Sequence, residues 1–343
     1  MKYFALILII TSFISCSKNQ RNTIQYNTDY FEFNINYWVN LHHFMYQKAD
    51  SSQLRKLQED GLNFIEIGES NAELQMTNIE KEILNQSVKY YKDSLTTKNL
   101  RRDLNYLKMW LQKQDEFKSI TDTTFGKKFT ETINKVSPIY EKYFWKLHKS
   151  HNISILTKHI GTIDEIEEEV INKMEKLSSN KWPDSTKVRV DVTAYANWAG
   201  AYTASKPTMN IVISTIDPSK ITSSFVETIL HEGSHLLYLY GKSPIRDKFY
   251  YKSEELGVEF PGNLWHASMF YLCGRATQNA LSKRNIKHKM LMDVNNIFAN
   301  YNSTNFKETN EKFFNAIIDE NIMIIDLLNQ IKGKVTSNEH KTD

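Results

Sequence analysis

The amino-acid sequence predicts an α+β fold, mostly helical with one small β-sheet, and three observations support it. From about residue 30 to 180, apolar residues recur at three- and four-residue spacing, the period of an amphipathic helix, and proline is nearly absent. Two short runs rich in β-branched residues follow, at 188–193 and 208–214, and such runs are typical of strands. Third, a further helical pattern at 224–241 is apolar on nearly all sides and therefore belongs in the interior of a domain.

The helical pattern of the first half divides into separate segments. Trp182-Pro183-Asp184 ends this part, and a further helix at about 306–331 closes the fold. We therefore predict a helical region at 30–185, a second region of strands and helices at 186–332 and a disordered tail at 333–343, with no Gly/Ser/Pro linker to separate the first two. The predicted helices of the first region are 36–49, 78–95, 103–117, 129–148 and 164–177.

The N-terminus has the pattern of a secretion signal at residues 1–15. Lys2 is followed by an apolar stretch that is too short to span a bilayer, which needs about 20 apolar residues. The sequence Phe13-Ile-Ser-Cys16 resembles a bacterial lipobox, which implies that Cys16 is lipidated, that residues 16–29 form a tether, and that the protein is anchored in the bacterial cell envelope, at the periplasmic face or the outer-membrane surface. Cleavage by ordinary signal peptidase, leaving a soluble exported protein, is the alternative.

Charge and cysteine content restrict the possible partners. The chain has 43 Lys and Arg against 40 Asp and Glu, a net charge of +3, which argues against a nucleic-acid partner. If Cys16 is lipidated, Cys273 alone remains and no intramolecular disulfide is possible. A lone cysteine in an apolar helix is more often a packing residue than a reactive one.

The segment His231-Glu-Gly-Ser-His235 has the spacing of a helical zinc site. Two histidines four positions apart project from one face of a helix, roughly 40° apart around its axis, so both can bind one ion. Glu232 can then act as general base toward a metal-activated water. Because only three positions are fixed, the buried helix around them supports much of the argument. The alternative is two core histidines bonded to backbone, with Glu232 reaching solvent.

The predicted helix that carries this motif has its own start and stop signals. Ser224 and Glu227 fit a capping box, and Gly241 is a suitable C-terminal stop.

A catalytic zinc usually takes three protein ligands, and two kinds of candidate follow the motif. His266 lies in an apolar pattern after Asn263, a plausible N-cap, so its ring should face the core. Glu254 and Glu255 lie 19 and 20 positions beyond His235, but in a charged stretch that should be exposed. We favour His266 and leave the glutamates as the alternative.

The order of elements over about 186–283 resembles the zincin metallopeptidases, in which a strand bordering the cleft precedes the helix that carries HExxH. The resemblance implies Zn²⁺, one per chain, a peptide or protein substrate, and β-augmentation of that substrate on the edge strand, which would be 209–214 here. An ordinary core strand is an equal alternative. The phrase Asn263-Leu-Trp-His-Ala-Ser-Met-Phe-Tyr271, together with the HExxH segment, is also similar to an uncharacterised bacterial zincin-like family, which implies a site of three histidines.

Further polar residues are candidates for the site. Tyr271, Tyr195 or Tyr202 could donate a hydrogen bond to the oxyanion of a tetrahedral intermediate, as zincins often arrange, although most of the 18 tyrosines must be structural. His42 and His43 point about 100° apart on a helix, so we expect a solvated histidine beside a packed one.

The predicted function is therefore an exported, lipid-anchored zinc hydrolase, specifically a metallopeptidase with Glu232 as general base. The alternative is a non-catalytic envelope lipoprotein that holds metal structurally or binds peptides or glycans. A fourth protein ligand would favour this alternative, because a structural zinc site is closed.

Overall fold

The computed structural model describes residues 24–238, 254 and 264–294. The predicted signal peptide, the predicted closing helix at 306–331 and the predicted tail lie outside the described residues, as do Cys16, Gly241, Glu255 and Asn263.

The described part of the chain has the predicted α+β composition, with helices around a single mixed sheet. The chain also contains a π-helical turn, Glu141–Trp145, and a short 3₁₀ turn, Pro218–Lys220. The helices are α1 Tyr37–Asp50, α2 Ser52–Glu59, α3 Glu69–Leu74, α4 Asn78–Ser94, α5 Asn105–Leu111, α6 Lys127–Tyr140, α7 Lys146–Ser178, α8 Ser223–Tyr238, α9 Leu264–Ser282 and α10 Leu291–Val294. The strands are β1 Ile24–Asn27, β2 Phe31–Ile35, β3 Val188–Thr193, β4 Ala201–Ala204 and β5 Asn210–Ser214.

Helix boundaries agree best with prediction where a capping signal is present. Asn36 caps α1 by accepting from the Val39 amide, and Thr77 with Glu80 forms a capping box for α4. The two helices predicted at 129–148 and 164–177 are wrong in their boundaries, because the chain runs on through the π turn Glu141–Trp145 into the 33-residue α7. Pro138 lies just before that turn, and its missing amide disturbs the regular hydrogen bonding of the helix.

The sheet has the strand order β1-β2-β3-β5-β4, with β2, β3 and β5 parallel and the two outer strands antiparallel to their neighbours. The prediction that 209–214 is an edge strand is therefore wrong. β5 lies between β3 and β4, and all of its residues are buried, as expected for an interior strand. The edge on this side is β4, whose Ala-Tyr-Thr-Ala sequence lacks a recognisable strand pattern.

Part of the range predicted as an N-terminal tether belongs to the sheet. Within the predicted range 16–29, residues Ile24–Asn27 form β1, which pairs with β2. Thr28 then donates a 2.6 Å hydrogen bond to the buried carboxylate of Glu167 in α7. Because β2 in turn pairs with β3, the sheet contains strands from both of the regions that the sequence analysis separated.

Helix α1 lies in the core, and this overturns the expectation of a solvated histidine there. His42 and His43 are both fully buried. Nδ1 of His42 hydrogen-bonds the Tyr91 hydroxyl at 3.2 Å, and Nδ1 of His43 lies 2.8 Å from the Val39 carbonyl oxygen. Within the described residues, no helix is long and apolar enough to cross a membrane.

Candidate metal centre

The helix that carries the histidine motif, α8, is buried along almost its whole length and packs against α7, α9 and β4. The predicted capping box at its start is wrong. The Ser224 amide donates to the hydroxyl of Thr222 at 3.4 Å, and the Phe225 amide donates to the Thr222 carbonyl at 2.9 Å. Glu227 is fully buried and accepts from the Leu291 amide at 2.9 Å, so its carboxylate joins α8 to α10 instead of capping α8.

Three histidines converge at the middle of this helix. His231 and His235 on α8 meet His266 on α9, and each offers a ring nitrogen within 4.8 Å of the other two. The ring centroids are 5.2–5.3 Å apart, and Phe270 stacks on His231 with a centroid distance of 3.6 Å. These three residues could hold one metal ion.

The state of these imidazoles suits a metal ligand. Neither ring nitrogen of His231 has a hydrogen-bond partner among the described residues, and Nδ1 of His235 has none either. Burial lowers the pKa of all three rings, to about 4 for His266 and well below the ordinary value for the other two, so they are neutral, as metal binding requires. A buried, unbonded imidazole is costly unless something else satisfies it. The alternative of core histidines bonded to backbone is therefore wrong for His231.

The candidates for third ligand differ in position. His266 is largely buried and belongs to the cluster, whereas Glu254 is exposed and does not. Among the described residues, His266 is thus the one that completes a three-ligand set.

Glu232 lies beside the histidines and is buried rather than reaching solvent. Its Oε2 accepts a 2.6 Å hydrogen bond from the hydroxyl of Thr203 and lies 3.7 Å from Nε2 of His235. Burial raises the pKa of the Glu232 carboxyl to about 7, against the lowering effect of the Thr203 hydrogen bond and of Lys220. A carboxyl with this pKa can both accept and release a proton near neutral pH.

The three histidines and Glu232 lie on the wall of a cavity of about 660 Å³. Such a volume is within the range of small-molecule and peptide sites. Other described residues of the wall include the β4 residues Ala201, Tyr202 and Thr203, the charged residues Asp50, Lys56, Asp60, Arg101, Asp217 and Lys220, and the aromatic residues Trp198 and Phe270.

The three tyrosines named from the sequence have different surroundings. Tyr202 lines the cavity, but its hydroxyl is hydrogen-bonded to Nε2 of His43 at 3.0 Å. Tyr195 donates to Glu69 at 2.9 Å, and Tyr271 is fully buried in α9. Neither Tyr195 nor Tyr271 is among the described residues that line the cavity. An oxyanion contact by any of the three stays a prediction.

Sequence reasoning missed Thr203, Arg101 and Lys220. Thr203 comes from a strand with no clear sequence pattern, Arg101 comes from a turn far from the motif in sequence, and Lys220 comes from the turn before α8. A threonine among alanines was the one local sign for Thr203, and no local sign marked the cations.

Comparisons with known proteins add no relative: no protein-family model, no curated protein and no solved structure matches this chain.

Proposed function

We propose that this protein is a zinc-dependent hydrolase of the HExxH type that cleaves peptide bonds. The observation that carries the proposal is the convergence of three buried, neutral histidines on a cavity wall next to a buried glutamate. Three imidazoles without a fourth protein ligand among the described residues match the composition of a catalytic zinc site, which keeps one position for water.

Zinc is the metal we propose for this site. Imidazole nitrogen also suits copper, iron and nickel, but a set of three histidines from two helices is typical of zinc hydrolases. When bound, zinc would supply Lewis acidity, which polarises a carbonyl and lowers the pKa of water to about 7.

Glu232 has the position for proton transfer, beside the three histidines on the cavity wall. Its carboxylate would accept the proton of the attacking water and pass it to the leaving amine. The hydroxyl of Thr203 donates to Oε2 of Glu232 at 2.6 Å and so holds the carboxylate beside His235. Thr203 is therefore a positioning residue for Glu232.

Strand β4 offers a place for an extended substrate. Among the described strands it pairs on one side only, with β5, and three of its four residues line the cavity. A peptide could add by main-chain hydrogen bonding to the edge of β4 that pairs with no described strand, next to Glu232. This supports a peptide or protein substrate.

We also propose that the protein acts in the bacterial cell envelope, anchored through a lipid on Cys16. The support is the signal-like N-terminus with its lipobox-like Phe13-Ile-Ser-Cys16. The balanced charge gives no reason to expect a nucleic-acid partner.

The test is the variant Glu232→Gln in the zinc-loaded protein. We expect an unchanged zinc content and a loss of peptide hydrolysis of at least about 100-fold, because general acid–base catalysis contributes that much. Zinc is measured by atomic spectroscopy, and cleavage of random peptide libraries by mass spectrometry.

Glu167→Gln is the matched control. Glu167 is also a buried glutamate with a pKa raised to about 7 by burial and a 2.6 Å hydrogen bond from a threonine, but it contacts Thr28 and not the cavity. It should keep full activity. Hydrolysis that survives Glu232→Gln would exclude Glu232 as the base, and zinc binding without any hydrolysis by the wild type would favour the non-catalytic lipoprotein.

A further inference from the structure

Lys220 is a cation on the cavity wall that has no ion-pair partner among the described residues. Its side chain lies on the cavity wall at the end of the 3₁₀ turn before α8, and the residue is only 6% exposed. Its backbone amide donates to the Asp217 carbonyl, but its ammonium forms no ion pair or hydrogen bond with any described residue. Nζ of Lys220 is not among the buried polar atoms that lack a partner, so the ammonium is accessible from the cavity and can pair with an anion there.

Arg101 is a second cation without a partner on the same wall. It belongs to the turn between α4 and α5, and its guanidinium likewise forms no ion pair within the described part of the chain. Both cations line the same cavity as the three histidines and Glu232, and the turn that carries Lys220 lies directly before α8.

The other charged groups of the wall are already satisfied by their neighbours. Lys56 forms an ion pair with Asp60. Asp217 accepts from the amide of Ser219 at 2.9 Å and from its hydroxyl at 2.6 Å. Lys220 and Arg101 are therefore the wall cations that remain available to an incoming anion.

We propose that Lys220 and Arg101 bind a carboxylate of the substrate that lies within a residue or two of the scissile bond. The inference rests on the proposed function, and it specifies the substrate class as peptides with an anionic group beside the cleavage point. Two sources supply the same chemistry: the C-terminal carboxylate of a peptide, or the side chain of an Asp or Glu residue. The first would make the protein a carboxypeptidase, and the second an endopeptidase with an acidic preference.

A binding experiment tests the contact without turnover. Two zinc-binding probes are compared by calorimetry on the zinc-loaded full chain: succinic acid monohydroxamate, which carries a carboxylate, and the matching compound with a primary amide in its place. We expect the wild type to bind the carboxylate probe roughly tenfold more tightly or better, since one charge-assisted hydrogen bond is worth that much. Lys220→Met and Arg101→Gln should each remove most of this preference while the affinity for the amide probe stays the same.

Lys56→Met is the matched control, because Lys56 lies on the same wall but is paired with Asp60. It should keep the preference. Equal affinity of the wild type for both probes would overturn the carboxylate contact and leave the proposed function standing. A wild type that binds neither probe would overturn the zinc site itself, and the inference with it. Arg101 is exposed, so Arg101→Gln remains informative if Lys220→Met fails to fold.

Peptide libraries then distinguish the two sources. Random peptides are prepared with free or amidated C-termini, each with or without Asp and Glu, and cleavage is followed by mass spectrometry. Cleavage that requires the free C-terminus identifies the terminal carboxylate, and cleavage of amidated peptides that requires Asp or Glu identifies the side chain. Cleavage that ignores both charges would overturn the inference. If no library is cleaved, the proposed function fails, whereas the probe affinities still decide whether an anion binds.

Discussion

At the scale of single residues, a local sequence pattern predicted some members of the candidate site but not others. His231, Glu232 and His235 follow from the period of one helix, so their spacing alone placed them together. His266 was predictable as a core-facing histidine, but its approach to the other two depends on how α8 and α9 pack. Thr203 and Lys220 were not predictable, because a strand edge and a turn bring them to the site through long-range packing that no local pattern reports.

The third ligand gives a prediction at this scale. His266→Ala should weaken zinc binding by at least about tenfold, because the variant keeps only two of the three histidine ligands. Zinc affinity is measured by competition with a chelating dye. Glu254→Ala is the control, since Glu254 is exposed and outside the cluster, and it should bind zinc as the wild type does. Loss of zinc with Glu254→Ala and retention with His266→Ala would reverse the assignment.

At the scale of elements, α8 can approach the sheet closely because one of its central positions has no side chain. A Cβ at Gly233 would lie 2.8 Å from two ring atoms of Phe31 in β2, closer than such atoms normally approach. Glycine inside a helix costs about 1 kcal/mol relative to alanine, so this position would favour alanine if space allowed. The close contact holds the residues on either side, Glu232 and Ser234, at a fixed depth against the sheet.

Gly233→Ala should therefore lower the free energy of unfolding, by about 1–3 kcal/mol, because the buried Phe31 ring cannot move away freely. Urea denaturation followed by circular dichroism measures the change. Gly161→Ala in α7 is the matched control: nothing lies within 4 Å of the added Cβ, so the higher helix propensity of alanine should make it neutral or slightly stabilising. A Gly233→Ala protein as stable as Gly161→Ala would show that Phe31 is not a barrier.

The boundaries of elements were predicted less well than their existence. The helix starts predicted near 36 and 78 agree with the structure, in which Asn36 caps α1 and Thr77 with Glu80 forms a capping box for α4. Ser224 and Glu227 had the same pattern, yet the fold uses Thr222 as the cap and buries Glu227 against α10. A capping box and a buried carboxylate need the same residue types, so the local sequence does not distinguish them.

At the scale of the whole molecule, the fold class was predictable because it depends on hydrophobic periodicity, while the sheet topology was not. The order β1-β2-β3-β5-β4 joins strands that are more than 150 residues apart along the chain. One link between the helices and this sheet is Lys108 of α5, which is fully buried, hydrogen-bonds the side chain of Asn210 in β5 and lies 4.9 Å from the ring centroid of Tyr202 in β4.

Lys108 should make the global stability depend on pH. Burial lowers the pKa of its ammonium to about 7, from an ordinary value near 10.5. Between these two values the unfolded chain holds a proton that the folded protein does not, so the free energy of unfolding should rise with pH, by up to about 1.4 kcal/mol per unit. Below pH 7 both states are protonated, and the contribution is constant.

The comparison is Lys108→Met, with urea denaturation at several pH values from 7 to 10. In Lys108→Met the free energy of unfolding should no longer show this rise with pH. Lys89→Met, which removes an exposed lysine paired with Asp93, should retain it. Identical slopes in wild type and Lys108→Met would contradict the assignment, whatever their absolute stabilities.

The pairing of β1 also limits how far the cavity can lie from a membrane to which the N-terminus is anchored. If Cys16 carries a lipid, only eight residue steps separate the membrane surface from Ile24, the first residue of the sheet. Even a fully extended chain covers at most about 29 Å over that length. This is less than the diameter of a protein of this size, so the catalytic body would rest close against the bilayer. Its substrates would then be peptides that come to the membrane surface, and a longer N-terminal linker would widen that range.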